Sequence, residues 1–140
     1  MFKKILLVCS LLVPCSIYAN VLEINSNTVK DTDAAKRKLT IISMVNEGCL
    51  TKTGNDSTKS FNCLLNVSNS INKFRNTYLQ TLTQKEKSTF FSTIDIATQK
   101  NIKSCETAFP ENERLKFKVA IINCKNRMTI SALTYSLEME

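Results

Sequence analysis

The side chains best equipped for covalent chemistry in this chain are its six cysteines: Cys9, Cys15, Cys49, Cys63, Cys105 and Cys124. Cys9 and Cys15 fall in an apolar leader. The other four form an even set in a small chain, which in an exported protein reads as disulfides. Four cysteines allow three pairings, and the simplest joins neighbours, Cys49 with Cys63 and Cys105 with Cys124. Each such bridge would stabilise the fold by about 3 kcal/mol. A zinc site is disfavoured, because no two cysteines have Cys-x-x-Cys spacing and no histidine completes a ligand set.

Acid–base chemistry finds little to work with. The absence of histidine removes the commonest general base and most catalytic triads. Glu106, Glu111 and Glu113 cluster around Pro110, but acids near a helix start usually serve the helix dipole rather than glycoside cleavage. Asp95 lies between Ile94 and Ile96, where a salt bridge or a solvent-facing position is expected rather than a general base. There is no glycine-rich phosphate loop and no metal-ligand spacing, so no cofactor, no metal and no enzymatic activity are expected.

The polar stretch Thr51 to Ser60, centred on Gly54-Asn55-Asp56-Ser57, is the clearest loop. Cysteines at 49 and 63 would staple both its ends. Constraint lowers the ordering cost of binding, so Thr51, Lys52, Asn55, Asp56 and Lys59 are candidate partner-binding residues. The basic triplet Lys36-Arg37-Lys38 does not extend into a longer block. Basic residues on the last helix lack interleaved aromatics, so nucleic acid is not an expected partner.

These residues must be positioned outside the cytoplasm if the start of the chain is a leader. Met1-Phe2-Lys3-Lys4 is basic, Ile5 to Val13 is largely apolar, and Ser16-Ile17-Tyr18-Ala19 offers a cleavage point, the layout of a secretory signal. The apolar run is shorter than the roughly 20 residues a membrane span needs. Leu12-Val13-Pro14-Cys15 has the outline of a lipobox, but Pro14 stands where a small residue is wanted, and cleavage after Ala19 is preferred. Residues 20–140 then form a single exported domain. Loss of Lys3 and Lys4 takes the basic count from 19 to 17 against 12 acids, a net +5.

Glycine and proline are scarce, with two of each in the whole chain, which favours helices over a turn-rich β fold. Asn20 to Asp31 reads as an irregular arm. Thr32 or Asp33 can cap a first helix to about Gly48, with Ala35, Leu39, Ile42, Val45 and Cys49 on one face. A second helix runs from about Phe61 to Leu82 with a seam of Leu64, Val67, Ile71, Phe74, Tyr78 and Leu82. Thr83-Gln84-Lys85-Glu86 is a capping box that opens a third helix directly, burying Phe90, Phe91, Ile94, Ala97, Ile102 and Cys105. Pro110 to Glu113 suits the start of a fourth helix. That helix carries Leu115, Val119 and Ile122 on one face and Phe117, Ile121, Cys124, Met128, Ala132 and Tyr135 on another, so it is expected to be the most buried. The fold is therefore all-α, an up-down bundle of about four helices stapled by disulfides. A fourth helix starting at Pro110 would put Cys124 roughly 20 Å along it, an awkward reach for Cys105.

From Cys63 to Cys105, the pattern Ile71-Asn72, Tyr78, Leu82, Glu86-Lys87 and a helix closing on Cys105 resembles the small bacterial periplasmic lysozyme-inhibitor family. The family's usual glutamine and tryptophan before the final cysteine are replaced here by Ile94 to Ala97. The resemblance implies an exported helical protein that blocks a wall-degrading enzyme; the general shape also resembles exported helical immunity proteins. The expected partner is a cell-wall hydrolase or toxin; the alternative, in which the long helices pack on partner helices, is that the chain is a structural or accessory component of an envelope secretion or conjugation assembly.

Overall fold

The structure is a computed structural model that describes residues 22–109 and 114–139. The signal-peptide expectation, including Cys9 and Cys15, and the roles given to Glu111 and Glu113 fall outside those residues. Among the described residues there is no strand. The elements are α1 (Ser26–Val29), α2 (Thr32–Thr51), α3 (Ser57–Thr81), α4 (Gln84–Thr89), a π-helical turn (Phe90–Asp95), α5 (Ile96–Thr107) and α6 (Leu115–Glu138). The π turn joins α4 and α5 into one rod. Four rods, α2, α3, α4–α5 and α6, form an up-down-up-down bundle. Neighbours run antiparallel, with α3 and α6 as the parallel diagonal in close contact.

The seam on α3 forms as its spacing requires: Leu64, Val67, Ile71, Phe74 and Tyr78 are all buried. They meet Ala35, Leu39 and Ile42 of α2 and Ile130, Leu133 and Leu137 of α6 in one core. The Thr83 capping box also forms, with Glu86 N–H donating to Thr83 Oγ1 and Thr83 N–H donating to Glu86 Oε2 at 2.6 Å. It starts α4 without an intervening loop.

Several expectations need correction. The stretch before Asp31 is not irregular throughout: Ser26–Val29 form a short helix within it. Asn25 Oδ1 accepts from the amides of Asn27 and Thr28, caps α1, and lets Ile24 and Val29 enter the core. Asp31, not Thr32 or Asp33, caps α2. That helix passes through Gly48 to Thr51. The second long helix starts at Ser57, one turn before Phe61, because Asp56 accepts from the amide of Lys59 and so begins the helix within a polar stretch.

In the third rod, Phe90 and Ile94 are buried, but Phe91 is 45 % exposed, Ala97 is exposed and Ile102 is half-buried. The cause is the π turn, whose wider winding adds a residue to the turn. It aligns Phe90, Ile94 and Thr98 at intervals of four and rotates Phe91 and Ala97 outward. The last helix begins at Leu115, since Arg114 is its extended cap residue; Pro110 to Glu113 lie outside the described residues. It packs against all three other rods, but its second apolar face is not closed over. Only Asn126, Ile130, Leu133, Ser136 and Leu137 are fully buried on it, whereas Leu115, Met128 and Tyr135 are exposed.

Both neighbour disulfides are present, Cys49–Cys63 with Cα atoms 5.5 Å apart and Cys105–Cys124 with 5.8 Å. The reach feared for the second vanishes because α6 starts late. Cys124 lies nine residues past Leu115, about 14 Å along the axis. Phe109, just after α5, packs on Phe117 with ring centroids 5.9 Å apart. Antiparallel descent from that contact brings Cys105 to Cys124, and the long Lys125 side chain reaches back to Glu106.

Candidate functional site

The stapled loop is tighter than its sequence implies. Only residues 52–56 lie between α2 and α3. Thr51 closes α2, its hydroxyl donating to the Gly48 carbonyl at 3.4 Å. Lys59 sits in the first turn of α3 and pairs with Asp56 at 3.6 Å. Of the five residues proposed from sequence, Lys52, Asn55 and Asp56 belong to the turn itself, while Thr51 and Lys59 flank it on the helix ends. All five are exposed.

The turn is held at three levels. Cys49–Cys63 closes its base. Thr53 points inward, donating from Oγ1 to the Cys49 carbonyl at 2.7 Å and sharing a hydrogen bond with the buried Ser60 hydroxyl. Gly54 takes φ +58°, a left-handed conformation that costs a side-chain-bearing residue about 1–2 kcal/mol. The Lys59 amide, donating to the Asp56 carboxylate, holds that carboxyl below its ordinary range. The charged and amide groups at the tip are thereby displayed on a backbone with few alternatives.

Beneath the turn lies a buried amide cluster. Asn126 Nδ2 donates to Asn46 Oδ1 at 2.9 Å and to the Leu64 carbonyl at 3.0 Å, and Asn46 Nδ2 donates to Asn123 Oδ1 at 2.8 Å. It ties α2, α3 and α6 together between the two disulfides. Nearer the opposite end, the buried Tyr78 and Ser136 hydroxyls share a 2.9 Å hydrogen bond. Sequence reading found none of these partners. They are polar residues on core faces, 58 to 80 positions apart in the chain.

The acids are similarly occupied. Asp95, in the π turn, pairs with Arg75 at 2.8 Å, both half-buried. The same guanidinium lies 5.7 Å from the Phe90 ring centroid and 5.8 Å from that of Phe91, so it shields the exposed edge of the π turn. Glu106 accepts from Lys125 at 2.5 Å, which holds its carboxyl below the ordinary range. It lies beside the second disulfide, as an ion-pair partner. Among the described residues, no three metal-ligating side chains converge and every buried side-chain polar atom has a partner. No helix among them is long and apolar enough to cross a membrane.

Comparison of the chain with known protein families, with curated proteins and with solved structures finds no match.

Proposed function

We propose that this chain is a non-enzymatic binding protein of the periplasm or exterior, an inhibitor or immunity factor that acts on a cell-wall hydrolase or a toxin. The observation that carries this reading is the five-residue turn 52–56, closed at its base by Cys49–Cys63 and pinned from inside by Thr53. A turn constrained before it meets its target loses little conformational entropy on binding. Lys52, Asn55 and Asp56 offer a cation, an amide and an anion at its exposed tip.

Three further features support the reading. The leader-like residues Met1 to Ala19 match an exported chain, and two disulfides suit an oxidising compartment. The buried polar groups are engaged in holding helices together, with the amide cluster joining three of them. The likeness of Cys63 to Cys105 to the lysozyme-inhibitor family points to the same class of target.

The test is titration of the purified, oxidised protein into muralytic enzymes acting on isolated cell walls, with survival of toxin-challenged cells that carry or lack it measured in parallel. Stoichiometric inhibition or protection is expected, with loss of at least tenfold in potency for the variant Lys52→Ala/Asn55→Ala and little change in its unfolding midpoint. Equal potency of that variant would remove the turn from the mechanism. Absence of both inhibition and protection would remove the function.

A further inference from the structure

The second apolar stripe of α6, left over once the core is built, has a shape and charge pattern that match itself. Met128, Tyr135 and Met139 are 38 %, 56 % and 54 % exposed. Ala132, half-buried, and Ser131, exposed, lie between them. On one side of this stripe, small residues of the third rod, Thr93 and Ala97, leave a groove of about 520 Å³ against Ala132 and Met128. On the other side, Ser43 of α2 borders a second groove of about 470 Å³ with Ser131 and Thr134. Tyr135 lines both grooves. The result is a ridge with a hollow on either flank, the form that helix packing by ridges and grooves requires.

We propose that this stripe docks a second copy of the chain, α6 against α6, antiparallel about a two-fold axis. In an isologous contact each residue meets a counterpart such that the pair exchanges roles across the axis. Placing Tyr135 of one copy over Ala132 of the other sets a large side chain on a small one. The same register brings Met128 of one copy opposite Met139 of the other. It also brings Arg127, at one end of the stripe, within two residues, about 3 Å along the axis, of Glu138 of the second copy, at the other end, a gap these long side chains span. Arg127 is 63 % exposed and pairs only at 3.5 Å with the exposed Glu47. Glu138 is exposed and has no ion pair among the described residues. A parallel pairing would instead oppose Arg127 to Arg127 and Glu138 to Glu138, so the charges select the antiparallel arrangement. The turn 52–56 lies beyond the stripe, near the opposite end of α6, so the two turns of a dimer stay open at opposite ends.

Sedimentation equilibrium of the oxidised protein over a wide concentration range tests this. The mass is expected to rise from one copy to two and to stop there. Tyr135→Glu is expected to remain a single copy at every concentration. Arg127→Glu and Glu138→Arg are each expected to weaken association at least tenfold, and the double exchange to recover most of it. Ser131→Cys treated with a short thiol crosslinker is expected to give a homodimer. Unfolding midpoints and the count of oxidised cysteines report whether each variant keeps its fold. A wild-type protein that stays single at the highest concentration would overturn the proposal, as would association unaffected by Tyr135→Glu or a double exchange no better than the single ones. Crosslinks from Ser131→Cys in producing cells that join only other proteins would do so too.

Discussion

Replacement of Asn126 by leucine probes the buried amide cluster, because leucine keeps the volume and removes the hydrogen bonds. Asn126 is 3 % exposed and Asn46 is 1 % exposed, so water cannot substitute for the lost donor. The Leu64 carbonyl loses its extra donor, and Asn46 Oδ1 is left with no donor in the core. A buried polar atom stripped of its partner costs about 1–3 kcal/mol, and a hydrogen bond contributes a net ~1 kcal/mol. Asn126→Leu should therefore cost about 2–3 kcal/mol. With a urea dependence of about 1–3 kcal/mol per molar for a domain of this size, the midpoint should fall by roughly 1 M. Asn46→Leu should cost less, since Asn126 Nδ2 keeps the Leu64 carbonyl. The double variant Asn46→Leu/Asn126→Leu has no stranded carbonyl oxygen at position 46. It should be less destabilised than the two single losses combined, by about 1 kcal/mol or more. Equilibrium urea unfolding, followed by far-ultraviolet circular dichroism under oxidising conditions, measures all three. A single-variant loss below about 0.5 kcal/mol, or strict additivity, would refute the assignment of this cluster as the tie among α2, α3 and α6.

Three other outcomes follow from the same geometry. Replacing Cys105 and Cys124 together by serine should lower stability by about 3 kcal/mol, because the bridge closes a chain separation of 19 residues, and the Cys49/Cys63 pair, at 14, should cost nearly the same; chemical denaturation of each variant measures it. Gly54→Ala should cost about 1–2 kcal/mol from its positive φ alone, since no heavy atom lies within 4 Å of the added methyl, and Gly54→Asn should cost less in the same assay. Asp56, Glu86 and Glu106 all have depressed carboxyl pKa values in the fold, through the Lys59 amide, the Thr83 hydroxyl and amide, and the Lys125 ammonium respectively. Their contribution is thus complete above the ordinary carboxylate values near pH 4 and is lost as pH falls through the lower folded values. Melting temperature should drop on acidification through that window, and the slope should be shallower in Asp56→Asn/Glu106→Gln.

Elements whose signal is local were legible in the sequence. The α3 seam repeats every three or four residues, and Thr83 and Glu86 carry their capping box within four positions, so both needed no tertiary information. The sequence left three disulfide pairings open, with neighbour pairing the simplest; the structure selects it, and the strain expected at Cys124 came from placing the helix start at Pro110. The π turn left no such trace. In α-helical register Phe91 and Ala97 join the apolar face, and only the wider winding exchanges them for Thr98. The first turn of α3 reads as loop because Ser57 to Ser60 is polar throughout, and the Asp56 cap that starts it is a turn residue equally at home in either role. The cap of α1 uses Asn25 with Thr28 in place of the usual glutamate or glutamine, which hid a short helix inside an apparent arm. Asn46, Asn126 and Ser136 escaped because a polar residue on a core face is recognisable only when its partner, on another helix, is known. Within the candidate site, the staple and the exposed Lys52, Asn55 and Asp56 were readable, whereas the inward role of Thr53 was not.

Every functional inference rests on passage of this chain out of the cytoplasm and oxidation of its thiols there. Intact-mass analysis of the protein recovered from the periplasmic fraction or medium of its producing cells, with and without thiol alkylation, tests that most directly. The expected species begins at Asn20, is four hydrogens lighter than the reduced chain because of its two bridges, and takes up no alkylating reagent. A species retaining Met1 to Ala19 and carrying alkyl groups on Cys49, Cys63, Cys105 and Cys124 would contradict it.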